Sequence, residues 1–167
     1  MAVGLSGRII YSTNGTTWTS AEVGSSYAYY GVSFVNNLFV AVGGNATVGS
    51  LAKVKSSADG ATWTDVSTSI SGHFHSLTYG AGKYVLVGRD NGYSATTMQK
   101  FMVVTTSDIT NSAVFSTPVS ITSSDGDIGV AQFVSVAFGN NSFVAISNLK
   151  VAPLHLLNPL QELIITV

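Results

Sequence analysis

Apolar residues along this chain come in short runs broken by Gly, Asn and Ser, and no segment keeps the 3.6-residue spacing of a helix. The runs are rich in Val, Ile, Phe and Tyr, which favour strands. The pattern therefore predicts an all-β protein. The stretch 149–167 is the ambiguous segment, because Pro153 and Pro159 oppose a long helix there, whereas its last five residues read as a strand.

One element of aromatic, apolar and turn residues occurs three times, at residues 32–43, 77–88 and 136–147. In each copy two apolar runs flank a short turn such as Asn36-Asn37, and Asn and Gly tolerate the positive φ angles of hairpin turns. The equivalent residues Phe39 and Tyr84 are 45 positions apart. Each copy is therefore predicted to be a β-hairpin.

A second element occurs at residues 11–19, before the first of these hairpins, and at residues 56–64, between the first and the second. Its tryptophans are again 45 positions apart. Ser and Asx side chains can bond the backbone N–H groups of a tight turn, and the Trp that follows can pack on the sheet face. This element predicts a second hairpin. Its structural residues are Ser12, Asn14, Gly15 and Trp18 in the first copy and Ser57, Asp59, Gly60 and Trp63 in the second.

Residues 57–63 resemble the Asp-box (BNR) repeat of sialidase-like β-propellers, and residues 12–18 look like the same box with Asn in place of Asp. A third copy near Asp108, with Phe115 in the Trp position, is degenerate. The hairpin before the box is similar to repeats in phage tail and other virion proteins. The resemblance implies antiparallel four-stranded blades, whose strands are named A to D in chain order.

Counting hairpins and boxes assigns residues 1–148 to about three blades: a composite of 1–20 with 131–148, then 21–67 and 68–120. Residues 149–167 are an atypical tail, a possible closing strand or assembly segment. Closed propellers typically need four to eight blades, and unpaired sheet edges favour association. We therefore expect an incomplete ring, a ring completed by oligomerisation, or a piece of a longer protein.

The composition of the chain argues against several classes of function. Charged residues make up only 9% of the 167 positions, the net charge is −1, and there is no cysteine. The charge argues against nucleic-acid binding, and the missing cysteine excludes disulfides and Cys-ligated zinc. No segment has the length of apolar sequence that a membrane helix needs, and the first six residues do not resemble a signal peptide. No cofactor is expected.

The residues do not assemble an obvious catalytic set. Sialidases use three arginines on the substrate carboxylate, whereas this chain has only Arg8 and Arg89. Glycoside hydrolysis generally needs two carboxylates on one site. The two glutamates, Glu22 and Glu162, lie in no obvious motif. Asp90, Asp125 and Asp127 could be proposed, but nothing in the sequence pairs them. We therefore expect no catalytic residues and no enzyme activity.

The resemblance does indicate where a ligand would bind. In such a propeller the D-to-A and B-to-C loops emerge on one face, away from the Asp boxes. Aromatic and polar residues fall in these loops and suit a sugar ring or a protein partner, although they could instead pack between blades. His73 and His75 could hold a metal, but a solvated loop is the preferred interpretation. The candidate ligand residues are Tyr27, Tyr29, Tyr30, His73, His75, Arg89, Asp90, Asn91 and Tyr93.

Together these features predict a non-catalytic virion structural or receptor- and glycan-binding module of the phage tail, fibre or capsid-surface type. Two alternatives are a sialidase-like glycoside hydrolase, or a fragment of one, and a secreted bacterial adhesion module. The expected location is the virion or the extracellular space. The expected partners are other copies of the chain, other virion proteins or a cell-surface glycan.

Overall fold

A computed structural model describes residues 1–22, 25–91, 101–121, 131–149 and 161–165. It confirms the all-β prediction: within these ranges every strand pairs antiparallel to its neighbours, and the helical element is one 3-10 turn at Ser112–Val114. None of the described residues belongs to a helix that is long and apolar enough to cross a membrane.

The described strands form four sheets, each with its strands in chain order. The first sheet contains β1 (Ala2–Val3), β2 (Ile9–Tyr11) and β3 (Thr19–Glu22). The second contains β4 (Ala28–Val35), β5 (Leu38–Gly44), β6 (Lys53–Ser57) and β7 (Thr64–Val66). The third contains β8 (His73–Gly80), β9 (Lys83–Arg89), β10 (Phe101–Thr106) and β11 (Val119–Ile121). The fourth contains β12 (Ala131–Gly139), β13 (Ser142–Leu149) and β14 (Gln161–Ile165).

The second sheet lies within the blade predicted at 21–67. The third sheet runs from residue 73 to residue 121, whereas the predicted blade is 68–120. The predicted composite blade joined residues 1–20 to residues 131–148, and these two halves lie in different sheets. Each predicted pair of strands is accompanied by a third strand, β1 in the first sheet and β14 in the fourth. Strand β14 lies in the tail that the sequence left ambiguous, and it pairs with β13. Pairing between the two halves of a composite blade stays a prediction about an assembled ring.

The hairpins joining the first two strands of a sheet have the turn chemistry that the sequence predicts. Asn36 and Asn37 have φ angles of 49° and 61°, and Asn140 and Asn141 have φ angles of 47° and 58°. In the third sheet Ala81 and Gly82 take this role, with φ angles of 46° and 74°. Two successive positive φ angles give a turn whose twist matches the flanking strands, so these hairpins close tightly.

The core lies in the seams between sheets. One apolar cluster joins the first sheet to the second, another the second to the third, and another the third to the fourth. Burying one Val, Leu or Phe side chain contributes about 1.5–3 kcal/mol, so each seam holds its two sheets together. The most buried members include Ile9 and Tyr29 in the first seam, Val42, Phe74 and Met102 in the second, and Val85, Phe133 and Ala145 in the third.

The first strands of the last three sheets lie next to one another, with β8 between β4 and β12. The Ser33 hydroxyl donates to the Leu77 carbonyl oxygen at 3.3 Å, and the Val136 N–H donates to the Ser76 hydroxyl at 3.3 Å. These three strands are therefore the A strands of successive propeller-type blades, and their ends define the two faces of the molecule.

Candidate functional site

The two ends of the A strands carry different chemistry. At one end the hairpin pair Phe34 and Phe39 lies beside Ser57, where the second Asp-box turn begins. At the other end Ala28 pairs with Gly44, and His73 pairs with Arg89. The candidate ligand residues are therefore at the end of the A strands away from the Asp box.

A β-bulge interrupts the A strand of each of the last three sheets at this end. The pairing shifts between Tyr29 and Gly31, between Phe74 and Ser76, and between Phe133 and Ser135. The extra residues are therefore Tyr30, His75 and Val134, one in each sheet. A bulge re-aims side chains and is frequent next to binding sites. The register thus singles out one equivalent position in three successive blades.

Glycines on the neighbouring B strands make room for two of these bulges. A Cβ at Gly43 would clash with the carbonyl oxygen of Ala28, and a Cβ at Gly88 would clash with that of His73. A side chain there would push the A strand away, so the bulges require glycine at both positions. The sequence shows this repeated glycine pair 45 positions apart, but the bulge it signals was missed.

We call Tyr30, His73, His75, Arg89 and Asn91 the axial cluster. The ring centroids of Tyr30 and His75 are 4.8 Å apart, those of Tyr30 and His73 are 5.5 Å apart, and those of His73 and His75 are 4.9 Å apart. His73 faces Arg89 directly across the strand pair. The structure thus brings together five of the nine predicted ligand residues.

Hydrogen bonding determines which ring nitrogen of neutral His73 carries the proton. The Asn91 side-chain amide nitrogen donates to the backbone carbonyl of Asn45, so its Oδ1 is the atom 3.0 Å from His73 Nδ1. Because an amide oxygen only accepts, the proton of neutral His73 lies on Nδ1. Asn45, and Gln132, which acts to raise the pKa of both histidines, were not predicted as site residues.

The histidines are held neutral. Burial, followed by the neighbouring His75 and the Arg89 charge, lowers the pKa of His73 to about 4. Burial also lowers the pKa of His75, against a hydrogen bond from Gln132 and together with the Arg89 charge. At neutral pH the cluster therefore offers two uncharged imidazoles beside one guanidinium, whose own pKa is lowered by burial.

Two polar atoms of the cluster are buried without a hydrogen-bond partner among the described residues: Arg89 Nε and His75 Nε2. Arg89 is only 9% exposed. Buried polar groups are nearly always hydrogen-bonded, and an unsatisfied one costs about 1–3 kcal/mol. The arrangement therefore leaves hydrogen-bonding capacity for a polar ligand.

Tyr27 and Tyr29 lie elsewhere, so the structure corrects their grouping with the ligand residues. Tyr29 packs in the first seam, and Tyr27 meets it edge to face with ring centroids 5.6 Å apart. Burial, followed by the Tyr27 hydroxyl, raises the pKa of Tyr29 far above its usual range. The repeat gives the reason: Tyr29 stands where Phe74 and Phe133 stand, both in the core.

Of the remaining residues considered as ligand or catalytic candidates, one lies next to the axial cluster and the others lie outside the described residues. Asp90 is half-buried and lies between Arg89 and Asn91. Tyr93 and the acidic residues Asp125 and Asp127 lie outside the described residues. Within the described ranges, no three His, Cys, Asp or Glu side chains are grouped so as to hold a metal ion.

The second Asp-box turn is built as the sequence suggests. Asp59 Oδ1 accepts from the N–H groups of Ala61 and Thr62 at 2.9 and 2.8 Å, and the Ser57 hydroxyl accepts from the Gly60 N–H at 2.8 Å. These backbone bonds, with one from the Ser57 hydroxyl, lower the pKa of Asp59 to about 2. The Asp59 carboxylate therefore stabilises the turn and is not a catalytic acid.

The first box repeats this geometry with an amide. Asn14 Oδ1 accepts from the N–H groups of Thr16 and Thr17 at 3.0 and 2.8 Å, and the Ser12 hydroxyl accepts from the Gly15 N–H at 2.8 Å. The two tryptophans differ: Trp63 is 9% exposed in the first seam, whereas Trp18 is 44% exposed. The prediction that each Trp packs on a sheet face thus holds for the second box only, because no sheet of the described chain covers the face bearing Trp18.

Solved structures with the same fold exist. The α-L-arabinofuranosidase Arb93A from Fusarium graminearum, as a variant in complex with an iminosugar inhibitor, matches with a TM-score of 0.58 and 18% identity, over 94% of this chain and 52% of that chain. The GH93 α-L-arabinofuranosidase of Fusarium graminearum with arabinobiose matches with a TM-score of 0.55 and 19% identity, over 85% of this chain and 48% of that chain. This chain thus spans about half the length of the structures it matches. No protein-family model and no curated protein matches its sequence.

These matches show the fold of a β-propeller glycosidase and correct one prediction. The expectation of no enzyme was wrong, because the solved structures that share the fold are enzymes. No comparison supports a virion role, which stays a prediction, and membership of the Asp-box family is not shown.

Proposed function

We propose that this chain forms about half of a propeller-type glycoside hydrolase and that its axial cluster contributes to the sugar-binding site. The observation that carries the proposal is the axial cluster itself, at one end of the A strands, with two buried polar atoms that have no partner among the described residues. The shared fold with arabinofuranosidases over 94% of the chain supports it.

The chemistry of the axial cluster suits a sugar. Tyr30, at the rim, is 41% exposed and offers a ring face, and sugar rings pack well on aromatic faces. The Arg89 guanidinium supplies hydrogen-bond donors, and a neutral imidazole can donate or accept. A small number of placed polar groups beside an aromatic surface is the usual make-up of a ligand site.

Hydrolysis would need more than these groups. Glycoside hydrolysis generally uses two carboxylates that flank the scissile bond. None of the five residues of the axial cluster carries a carboxylate. We propose that both carboxylates come from the remainder of the ring, supplied by further protein.

A binding experiment tests this function. We expect calorimetric titration with arabinobiose, xylobiose and sialyllactose to detect binding of at least one sugar. Tyr30→Ala should weaken that binding at least tenfold, because the substitution removes the exposed ring. Phe34→Ala is the matched control, since Phe34 is 59% exposed at the opposite end of the same strand. Absence of binding for all three sugars, or equal losses in the two variants, would contradict the proposal.

We also propose that a second copy of the chain supplies the missing half of the ring. Trp18 occupies the position of Trp63, which is buried against the preceding sheet. At the other end of the array, Ile146 of the fourth sheet is exposed. A second copy placed head to tail would set its fourth sheet against the first sheet of its partner.

A further inference from the structure

A second cavity lies at the outer side of the seam between the second and third sheets. It is a cleft of about 310 Å³ lined by residues 68–71, Asp90, Ser112 and residues 115–118. We call it the seam cleft. Its volume is at the lower end of the range for small-molecule sites, which is about 300–1,000 Å³, and it fits one or two sugar rings.

Both walls of the seam cleft are held by hydrogen bonds. On the side of the second sheet, the Thr68 hydroxyl donates to the Ala52 carbonyl at 2.7 Å, and the Ala52 N–H donates to the Ile70 carbonyl at 2.9 Å. These bonds tie residues 68–70 to the segment that enters β6. A wall fixed in this way loses little conformational freedom when a ligand binds.

The opposite wall belongs to the third sheet. The Ser116 N–H donates to the Thr105 carbonyl at 2.8 Å, and the Thr105 N–H donates to the Ser116 hydroxyl at 3.0 Å. Residues 115–118 are thereby anchored to β10. The cleft is consequently a preformed groove between two ordered loops.

Most of the described residues that line the cleft carry a hydroxyl. They include Ser69, Ser71, Ser112 and Thr117, and the Ser116 hydroxyl, which already accepts one bond, can still donate. A hydroxyl both donates and accepts, as do the hydroxyls of a sugar. Such a lining matches a polyol better than an ion or an apolar molecule.

Apolar residues line both walls: Phe115 and Pro118 on the side of the third sheet, and Ile70 on the side of the second. Phe115 packs against the core of the second seam and is partly exposed, and Pro118 lies beside it in the cleft lining. Aromatic and proline rings give flat surfaces against which the C–H face of a sugar can pack. The combination of one ring face with many hydroxyls is typical of saccharide sites.

The charged residues in the lining indicate which class of sugar the seam cleft would bind. Among the described residues that line the cleft, Asp90 is the one ionisable residue. Its neighbours Arg89 and Asn91 belong to the axial cluster, so alternate residues of one segment serve the two sites. Because the described part of the lining carries this carboxylate and no lysine or arginine, it favours a neutral sugar over an acidic one.

We propose that the seam cleft binds a neutral saccharide unit at a site separate from the axial cluster. The proposal does not require the axial cluster to bind anything. In a polysaccharide-acting protein, such a site would hold a part of the chain remote from the reacting bond.

The test uses the full chain, labelled for amide NMR spectroscopy, with arabinobiose and cellobiose as neutral probes and digalacturonate as the charged comparison. We expect the neutral probes to shift the amide signals of residues 68–71 and 112–117. The double variant Ser69→Ala/Thr117→Val should weaken this binding at least fivefold. Its matched control is Thr19→Val/Ser20→Ala, a similarly exposed pair on β3 that should leave binding unchanged.

The location of the shifts separates the two proposals. Shifts confined to Tyr30, His73 and Arg89 would support the axial site and overturn the seam cleft. Shifts confined to the cleft, lost in the double variant, would support the cleft whatever becomes of the axial site. No shift at the cleft with either neutral probe, or stronger binding of digalacturonate there, would overturn the inference.

Discussion

The rings of Tyr30 and His75 lie with their centroids 4.8 Å apart although the residues are 45 positions apart in the chain. Each is the extra residue of a β-bulge at the same position of two successive repeats. The repeat that builds the scaffold thus also delivers site residues at a fixed interval. Adjacent blades place equivalent residues side by side, so a difference between copies, Tyr in one and His in the next, becomes a mixed site.

The bulge glycines give the first prediction. Gly88→Ala would bring a Cβ against the carbonyl oxygen of His73, so β8 must move away from β9. We expect a loss of about 1–3 kcal/mol in the free energy of unfolding, measured by urea denaturation. Gly139→Ala is the matched control, because nothing lies within 4 Å of its added Cβ. Equal stability of the two variants would contradict the role of Gly88 in the bulge.

Acid sensitivity follows from the second Asp-box turn. The pKa of Asp59 is lowered to about 2, so the ionised form is favoured by folding. Its contribution to stability is complete above the usual carboxyl pKa near 3.8 and is lost as pH falls through about 2. Asp59→Asn should fold with the same turn, as Asn14 does in the first box, and should show a smaller loss of melting temperature in this pH range. A variant as acid-sensitive as the parent would contradict this account.

His73 predicts a second pH window. Its pKa is near 6.5 in the unfolded chain and about 4 in the fold, so the neutral form is favoured by folding. Stability is therefore complete above about pH 6.5 and falls as pH drops towards 4, by at most about 2 kcal/mol between about pH 7 and pH 4.5. Urea denaturation across this range measures the loss. The groups facing His73 are Tyr30, His75, Arg89, Asn91 and Gln132.

His73→Gln removes the titrating group and keeps a side chain that can donate to Asn91. The variant should flatten the pH dependence between about pH 7 and 4.5, apart from the smaller contribution of His75. An unchanged slope would show that His73 is not the group responsible.

Sequence reasoning reached the fold through the repeat. Two sequence elements that each recur after 45 residues identified the hairpins and the Asp-box turns. This was possible because a turn is formed by adjacent residues, whose types indicate its conformation. The bulges were missed, since a bulge depends on the pairing register between strands. Tyr29 was misplaced because loops and core share aromatic residues, although its repeat equivalents, Phe74 and Phe133, indicated the core.

The first seam contains a buried ion pair that yields a stability prediction. Lys55 Nζ lies 2.8 Å from Glu22 Oε1 and 3.4 Å from Asp65 Oδ1, and its side chain is largely buried. Burial opposes the charge of Lys55, but the hydrogen bond to Glu22 and the charges of both carboxylates raise its pKa overall. This lysine therefore joins β3 of the first sheet to β6 and β7 of the second.

Removing the Glu22 carboxylate should lower the free energy of unfolding more than removing the Lys55 ammonium. Glu22→Gln leaves a buried ammonium with one exposed carboxylate, and we expect a loss of about 1–3 kcal/mol in the free energy of unfolding. Lys55→Met leaves both carboxylates in reach of water and should cost less. Asp65→Asn should cost under about 1 kcal/mol, because exposed pairs contribute little. The reverse order of Glu22→Gln and Lys55→Met would contradict a buried pair.

The exposed Trp18 leads to the prediction about assembly. If a second copy covers this face, light scattering after size-exclusion chromatography should give twice the chain mass of 17.3 kDa. Trp18→Ser should then shift the mass towards the monomer, because a buried aromatic side chain is a frequent energetic centre of an interface. Phe34→Ser is the control, since Phe34 is exposed in a hairpin at one end of its strand rather than on the outer face of an end sheet. A monomeric parent chain would contradict completion by a second copy and would leave the rest of a longer protein as the source of the missing blades.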